Sequence, residues 1–132
     1  ERHDFLAMGM EIAYAHHECF DGSGYPLGLA GEAIPIEARI TTVADVFDAL
    51  CTWRPYKAPW STDQAFDYLQ SKRGRRFDPD CVDVFLDNRE QVVEIAQTIA
   101  DVAPPQTGPA NPNPDVRPNL IQEHLRYGRS HA

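Results

Sequence analysis

The chain has 132 residues, 42% of them hydrophobic, and a formal net charge of −8. That length fits one domain or part of one, and the acidic balance disfavours general attraction to nucleic acid, so any phosphate ligand must be held by a local site. No apolar run approaches the roughly 20 residues needed to cross a bilayer. Cys19, Cys51 and Cys81 are odd in number without CxxC spacing, which reads as free thiols in a reducing cytoplasm.

The chain opens Glu1-Arg2-His3, with neither Met nor a basic-then-apolar leader, and so reads as a portion of something longer rather than a secretory precursor. Phe5, Met8, Ile12 and Ala15 recur at helical spacing and predict an amphipathic helix over residues 4–19, with His16 and His17 on its last turn. A loop then begins near Asp21, punctuated by Gly22, Gly24, Pro26, Gly28, Gly31 and Pro35. Gly22 and Gly24 permit positive φ and close backbone approach, while Pro26 biases Tyr25 toward an extended conformation that presents its ring outward. The next helix runs from Ile36 to Leu50 with Pro35 at its first turn. Its core stripe is Ile36, Ile40, Val43, Phe47 and Leu50, and its opposite face carries Thr41, Asp45, Asp48 and Thr52.

Pro55 takes Arg54 out of helical geometry, so Arg54 and Lys57 leave this helix end able to reach a phosphate or a guanine edge. Ser61 with Gln64 forms a capping-box pattern ahead of Ala65, Phe66 and Leu69, and Gly74 marks the stop. Asp78-Pro79 reads as N-cap plus first-turn proline for a helix through Val82, Phe85 and Leu86. A fifth helix is expected from about Glu90 to Val102, with Val92, Ile95, Ala96 and Ile99 inward. Residues 1–102 then form the folded portion, the proline-rich stretch 103–118 an extended linker, and 119–132 a short tail with helical character. With no strand pattern and no repeat, the class is all-α.

Adjacent helical residues point about 100° apart, so His16 and His17 suit two ions of a close pair, about 3.5 to 4 Å apart, better than one shared ion. The alternative for an isolated His-His is a helix cap beside a solvated imidazole. Neutral imidazole suits first-row transition metals, and the Asp45 carboxylate would lower the charge of such a site. The ring of Tyr25 offers a flat face to a nucleobase, the alternative being a structural turn with the ring tucked into the core.

The succession HHE-x-x-DGSGYP (His16 to Pro26), IPIEARI-x-x-VADVFDAL (Ile34 to Leu50), RPYK (Arg54 to Lys57) and FDP (Phe77 to Pro79) resembles the C-terminal part of an HD-GYP domain, over about residues 5 to 87. The resemblance implies an HD-like fragment of about five helices, with the long GYP loop between the first two and a proline-rich C-terminal tail. It implies a bacterial, cytoplasmic, metal-dependent phosphodiesterase that hydrolyses the second messenger cyclic di-GMP to pGpG or GMP in two-component signalling. His16, His17 and Asp45 would be the metal ligands, two or three iron or manganese ions the cofactors, and Gly24, Tyr25, Pro26, Arg54 and Lys57 the substrate contacts. A diguanylate cyclase (GGDEF) domain and an upstream receiver or sensory domain are the implied protein partners, with no nucleic acid and no membrane segment in this chain.

The family's His-Asp dipeptide should precede residue 1, so this piece is expected to be inactive alone. His3-Asp4 lies about 20 Å back along the helix from His16 and cannot share its ion. Cys19 stands where the family typically has Arg, and Thr52-Trp53 where it has a small residue and Asp. Those departures leave a second implied reading, a non-catalytic HD-GYP module that binds a signalling partner.

Overall fold

The computed structural model describes residues 2–52 and 58–102. Arg54 and Lys57, the linker 103–118 and the tail 119–132 lie outside the described residues. Among the described residues there are five α-helices: α1 (Arg2–Ala15), α2 (Ile36–Cys51), α3 (Thr62–Ser71), α4 (Pro79–Asp87) and α5 (Arg89–Val102). A 3-10 turn, Gly31–Ala33, leads into α2. Among the described residues there is no strand, only isolated bridges between Asp21 and Ala30 and between Arg73 and Phe77. The all-α class expected from sequence is the one observed.

The core sits where α2, α3 and α4 meet. Val43, Phe47 and Leu50 of α2 are buried with Ala65, Phe66 and Leu69 of α3, Phe77, and Val82 of α4. Phe66 is fully buried, its ring 4.8 Å from that of Phe47 and 5.9 Å from that of Phe85, with the Arg89 guanidinium 4.6 Å over its face. Local signals start these helices as the sequence predicts. The Ser61 hydroxyl accepts from the Gln64 amide at 3.2 Å, and the Gln64 side chain accepts from the Ser61 amide at 3.0 Å. Asp78 caps α4 by accepting from the Asp80 amide at 2.8 Å, with Pro79 in the first turn.

Two expectations about packing are corrected. In the first half of α2 the buried positions are Ala38, Thr42 and the expected Val43, while Ile36 and Ile40 are exposed, the latter at 55%. Small residues on that face let the end of α1 come close, with Ala15 and Ile34 buried against Ala38, so the stripe rotates away from the isoleucines. In α5, Val92 and Ala96 pack on the core but Ile95 and Ile99 face out, because α5 leans on α4 and presents only one narrow edge to it. Phe5 and Met8 are likewise exposed, since α1 engages α2 through its C-terminal end. Pro35 is the N-cap residue of α2 rather than a member of its first turn.

Candidate functional site

The helix α1 stops at Ala15, so His16 and His17 occupy the turn that follows rather than the last helical turn. The His16 amide still donates to the Ile12 carbonyl at 3.0 Å, and the Glu18 amide then bonds to Ala15 at 3.0 Å, which tightens the chain out of the helix. His16 Nδ1 lies 3.0 Å from the Ile12 carbonyl oxygen and 2.9 Å from that of Ala13. A carbonyl only accepts, so Nδ1 carries a hydrogen, and in the neutral ring that leaves the lone pair on Nε2, the arrangement for binding a metal through Nε2.

The ring of His17 lies 3.8 Å from that of His16, tilted by 41°. Tyr25 stacks on His17 with ring centroids 4.9 Å apart and planes 19° apart, and its amide donates to the His17 carbonyl at 3.3 Å. The aromatic therefore folds back over the imidazole instead of projecting away, though it remains 41% exposed. The peptide bond from Tyr25 to Pro26 is cis.

This fold-back needs glycine at position 24, where an added Cβ would stand 2.4 Å from the Cys19 nitrogen and 2.5 Å from the His17 carbonyl oxygen. Gly22, at φ +84°, supplies the left-handed turn. Further along the loop, the amides of Leu27 and Leu29 donate to the two carboxylate oxygens of Glu18, at 2.7 and 3.0 Å. The loop base is laced to the turn before α4, with the Asp21 amide donating to Arg75 at 2.8 Å and the Phe20 amide to Arg76 at 3.2 Å.

The helix α2 meets this turn through Thr42. Its hydroxyl lies 2.7 Å from the Ala38 carbonyl oxygen and 3.2 Å from that of His16, with one proton shared between them. Asp45 sits one turn further along the same helix, exposed, and Asp48 beyond it accepts from the Thr52 hydroxyl at 3.4 Å. Among the described residues no three His, Cys, Asp or Glu side chains gather around one point where a metal ion would sit. The two imidazoles are brought together, and Asp45 does not join them in such a cluster.

Burial pushes the Cys19 thiol above its ordinary value, against the opposing hydrogen bond with Ser23 and the Arg76 charge, which keeps it a neutral thiol rather than a thiolate ligand. Sequence reasoning passed over Glu18, Thr42 and the Arg39–Asp78 ion pair. Arg39 Nε donates to the Ile34 carbonyl at 2.9 Å while its guanidinium holds Asp78, so one side chain joins the end of the loop, α2 and the start of α4. The sequence shows an acid directly after the His pair and a Thr four residues after Ala38, but not the partners that give them their roles.

An HD-domain family model matches residues 1–81. The chain is 59% identical over 91 residues to the cyclic di-GMP phosphodiesterase response regulator RpfG of Xanthomonas campestris pv. campestris, a match covering 69% of this chain and 24% of that protein. It is 50% identical over 96 residues to a probable cyclic di-GMP phosphodiesterase of Vibrio cholerae, covering 73% of this chain and 22% of the relative. A 3'3'-cGAMP-specific phosphodiesterase of the same organism is 44% identical over 96 residues, covering 73% and 18%. The matched region thus spans 24% or less of the length of these relatives. With the His pair and the glycine-tyrosine-proline loop packed as one unit, this chain belongs to the HD-domain family and is of the HD-GYP type.

Proposed function

We propose that this chain is part of a metal-dependent phosphodiesterase that opens cyclic di-GMP to pGpG or GMP in bacterial signalling. The observation that carries the reading is His16: its Nδ1 is committed to the Ile12 and Ala13 carbonyls, which leaves Nε2 as the ring nitrogen available to a metal, beside a second imidazole. Names of relatives across several bacteria supply the substrate class.

In the whole protein, His16, His17 and Asp45 would hold two or three iron or manganese ions together with ligands from outside this chain. Held there, such ions would supply an acidified water and positive charge opposite the non-bridging phosphate oxygens. The remaining work belongs to this chain's own groups. The Ile12 and Ala13 carbonyls fix the orientation of His16, Thr42 ties the His turn to α2, and Tyr25 offers its ring to a guanine while covering His17. Arg54 and Lys57 complete the proposed contacts by binding phosphate or guanine, and Gly24 and Pro26 shape the loop. A cytoplasmic location, an upstream receiver or sensory domain and a diguanylate cyclase partner belong to the same reading.

The experiment is an assay of the full-length protein, loaded with manganese or iron, against cyclic di-GMP and 3'3'-cGAMP. Turnover of cyclic di-GMP is expected, with none from the 132-residue chain, whose ligand set is too small to retain the ions. Failure of the metal-loaded full-length protein to hydrolyse either dinucleotide would sink the enzyme reading. A full-length protein that holds no metal yet binds a cyclase domain would establish the non-catalytic module in its place.

A further inference from the structure

The acid directly after the two histidines invites assignment to the same metal ions, and the structure places it elsewhere. Glu18 is 3% exposed, and its two oxygens are each taken by a backbone amide of the loop, Leu27 at 2.7 Å and Leu29 at 3.0 Å. A carboxylate serving two amides in this way is a strong, charge-assisted anchor for backbone that would otherwise have no partner in the fold. The loop it holds begins and ends at the His turn. Tyr25 donates its amide to His17 and stacks on the His17 ring, Gly24 passes with no room for a Cβ, and Gly31 donates to the Phe20 carbonyl at 2.8 Å.

We infer that Glu18 is a positioning residue and not a metal ligand: by gripping Leu27 and Leu29 it sets the path of the loop that keeps Tyr25 over His17, and so fixes the substrate platform relative to the metal-binding imidazole. This deepens the proposed phosphodiesterase reading and rests on it for the identity of the substrate, though not for the placement of the loop.

Glu18→Gln is the informative variant. It keeps the volume but replaces one acceptor oxygen with an NH2 group, which leaves one of the two loop amides facing a donor. In the 132-residue chain, hydrogen exchange at the Leu27 or Leu29 amide should accelerate about tenfold or more, while the core amides of Phe66 and Leu69 keep their protection. In the full-length protein, bound metal should stay at the parent level and kcat within about threefold, while KM for cyclic di-GMP rises about tenfold. Unchanged exchange at both leucines, or loss of metal with KM unaltered, overturns the inference. If the parent protein fails to turn over cyclic di-GMP, the proposed activity falls, and the exchange measurement still decides what Glu18 holds.

Discussion

The hydrogen bond made by one imidazole nitrogen fixes the ring's orientation and which nitrogen is left to bind a metal, and His16 has Nδ1 committed to two main-chain carbonyls. Replacing His16 or His17 by Ala should lower the manganese affinity of the full-length protein by about tenfold or more, measured by calorimetric titration, with a thermal midpoint close to the parent's. Gly24→Ala acts differently. Its methyl would collide with backbone atoms that cannot swing aside, so the loop must open, at a cost of about 1 to 3 kcal/mol in denaturant unfolding. The thiols give a pH test. Burial pushes Cys19, Cys51 and Cys81 all above the ordinary 9.0, so alkylation at pH 7.5 should be slower than for free cysteine and should still be rising with pH at pH 9 rather than levelling off. Residue types and the order of motifs were legible at this scale: two histidines, then glycines, then an aromatic before proline. What Glu18 does was not, because its partners lie 9 and 11 residues away and are backbone amides, which carry no sequence signal.

Helices announce their own beginnings more clearly than their partners. The caps of α3 and α4 depend on contacts within three residues and were read correctly from Ser61, Gln64, Asp78 and Pro79. The face that each helix buries depends on who arrives, which is why the expected stripe of α2 failed at Ile36 and Ile40. Asp78 links the two levels, since it caps α4 and also receives the Arg39 guanidinium. Burial raises its carboxyl, but the hydrogen bond from Arg39 and the Asp80 amide outweigh that, and the net shift is below the ordinary 3.8. A depressed carboxylate contributes stability that is complete above its unfolded value and disappears as pH falls through its folded value. The thermal midpoint should therefore drop as pH is lowered from about 5 to below 3. Asp78→Asn, which keeps a capping side chain, should flatten that part of the curve. Arg39→Met should destabilise at neutral pH by about 3 to 5 kcal/mol, because the buried carboxylate loses its counter-charge.

Across the whole molecule, apolar surface is distributed unevenly. The centre is dense, and Phe66→Ala should cost about 3 to 5 kcal/mol by chemical denaturation, since Phe47, Phe85 and Arg89 all lose a packing partner there. The outer side of α1 is the reverse. Leu6, Met10 and Tyr14 recur every fourth residue and stand exposed, near Phe5 at 75%. The 132-residue chain should accordingly bind a hydrophobic dye and self-associate as its concentration is raised. Leu6→Lys with Met10→Lys should restore a monomer by sedimentation velocity. The helical periodicity of α1 was plain in the sequence, but burial requires a neighbour, and among the described residues it is the end of α1 at Ala15 that packs against one.

The missing clearance at Gly24 reaches beyond this molecule. In any related chain that reads HHE and YP alike but carries a side chain at that glycine, the ribbon must take another route, and tyrosine can no longer lie across the imidazole. That one letter therefore works as a diagnostic, separating chains whose ring and histidine form a joined surface from those in which the two have come apart.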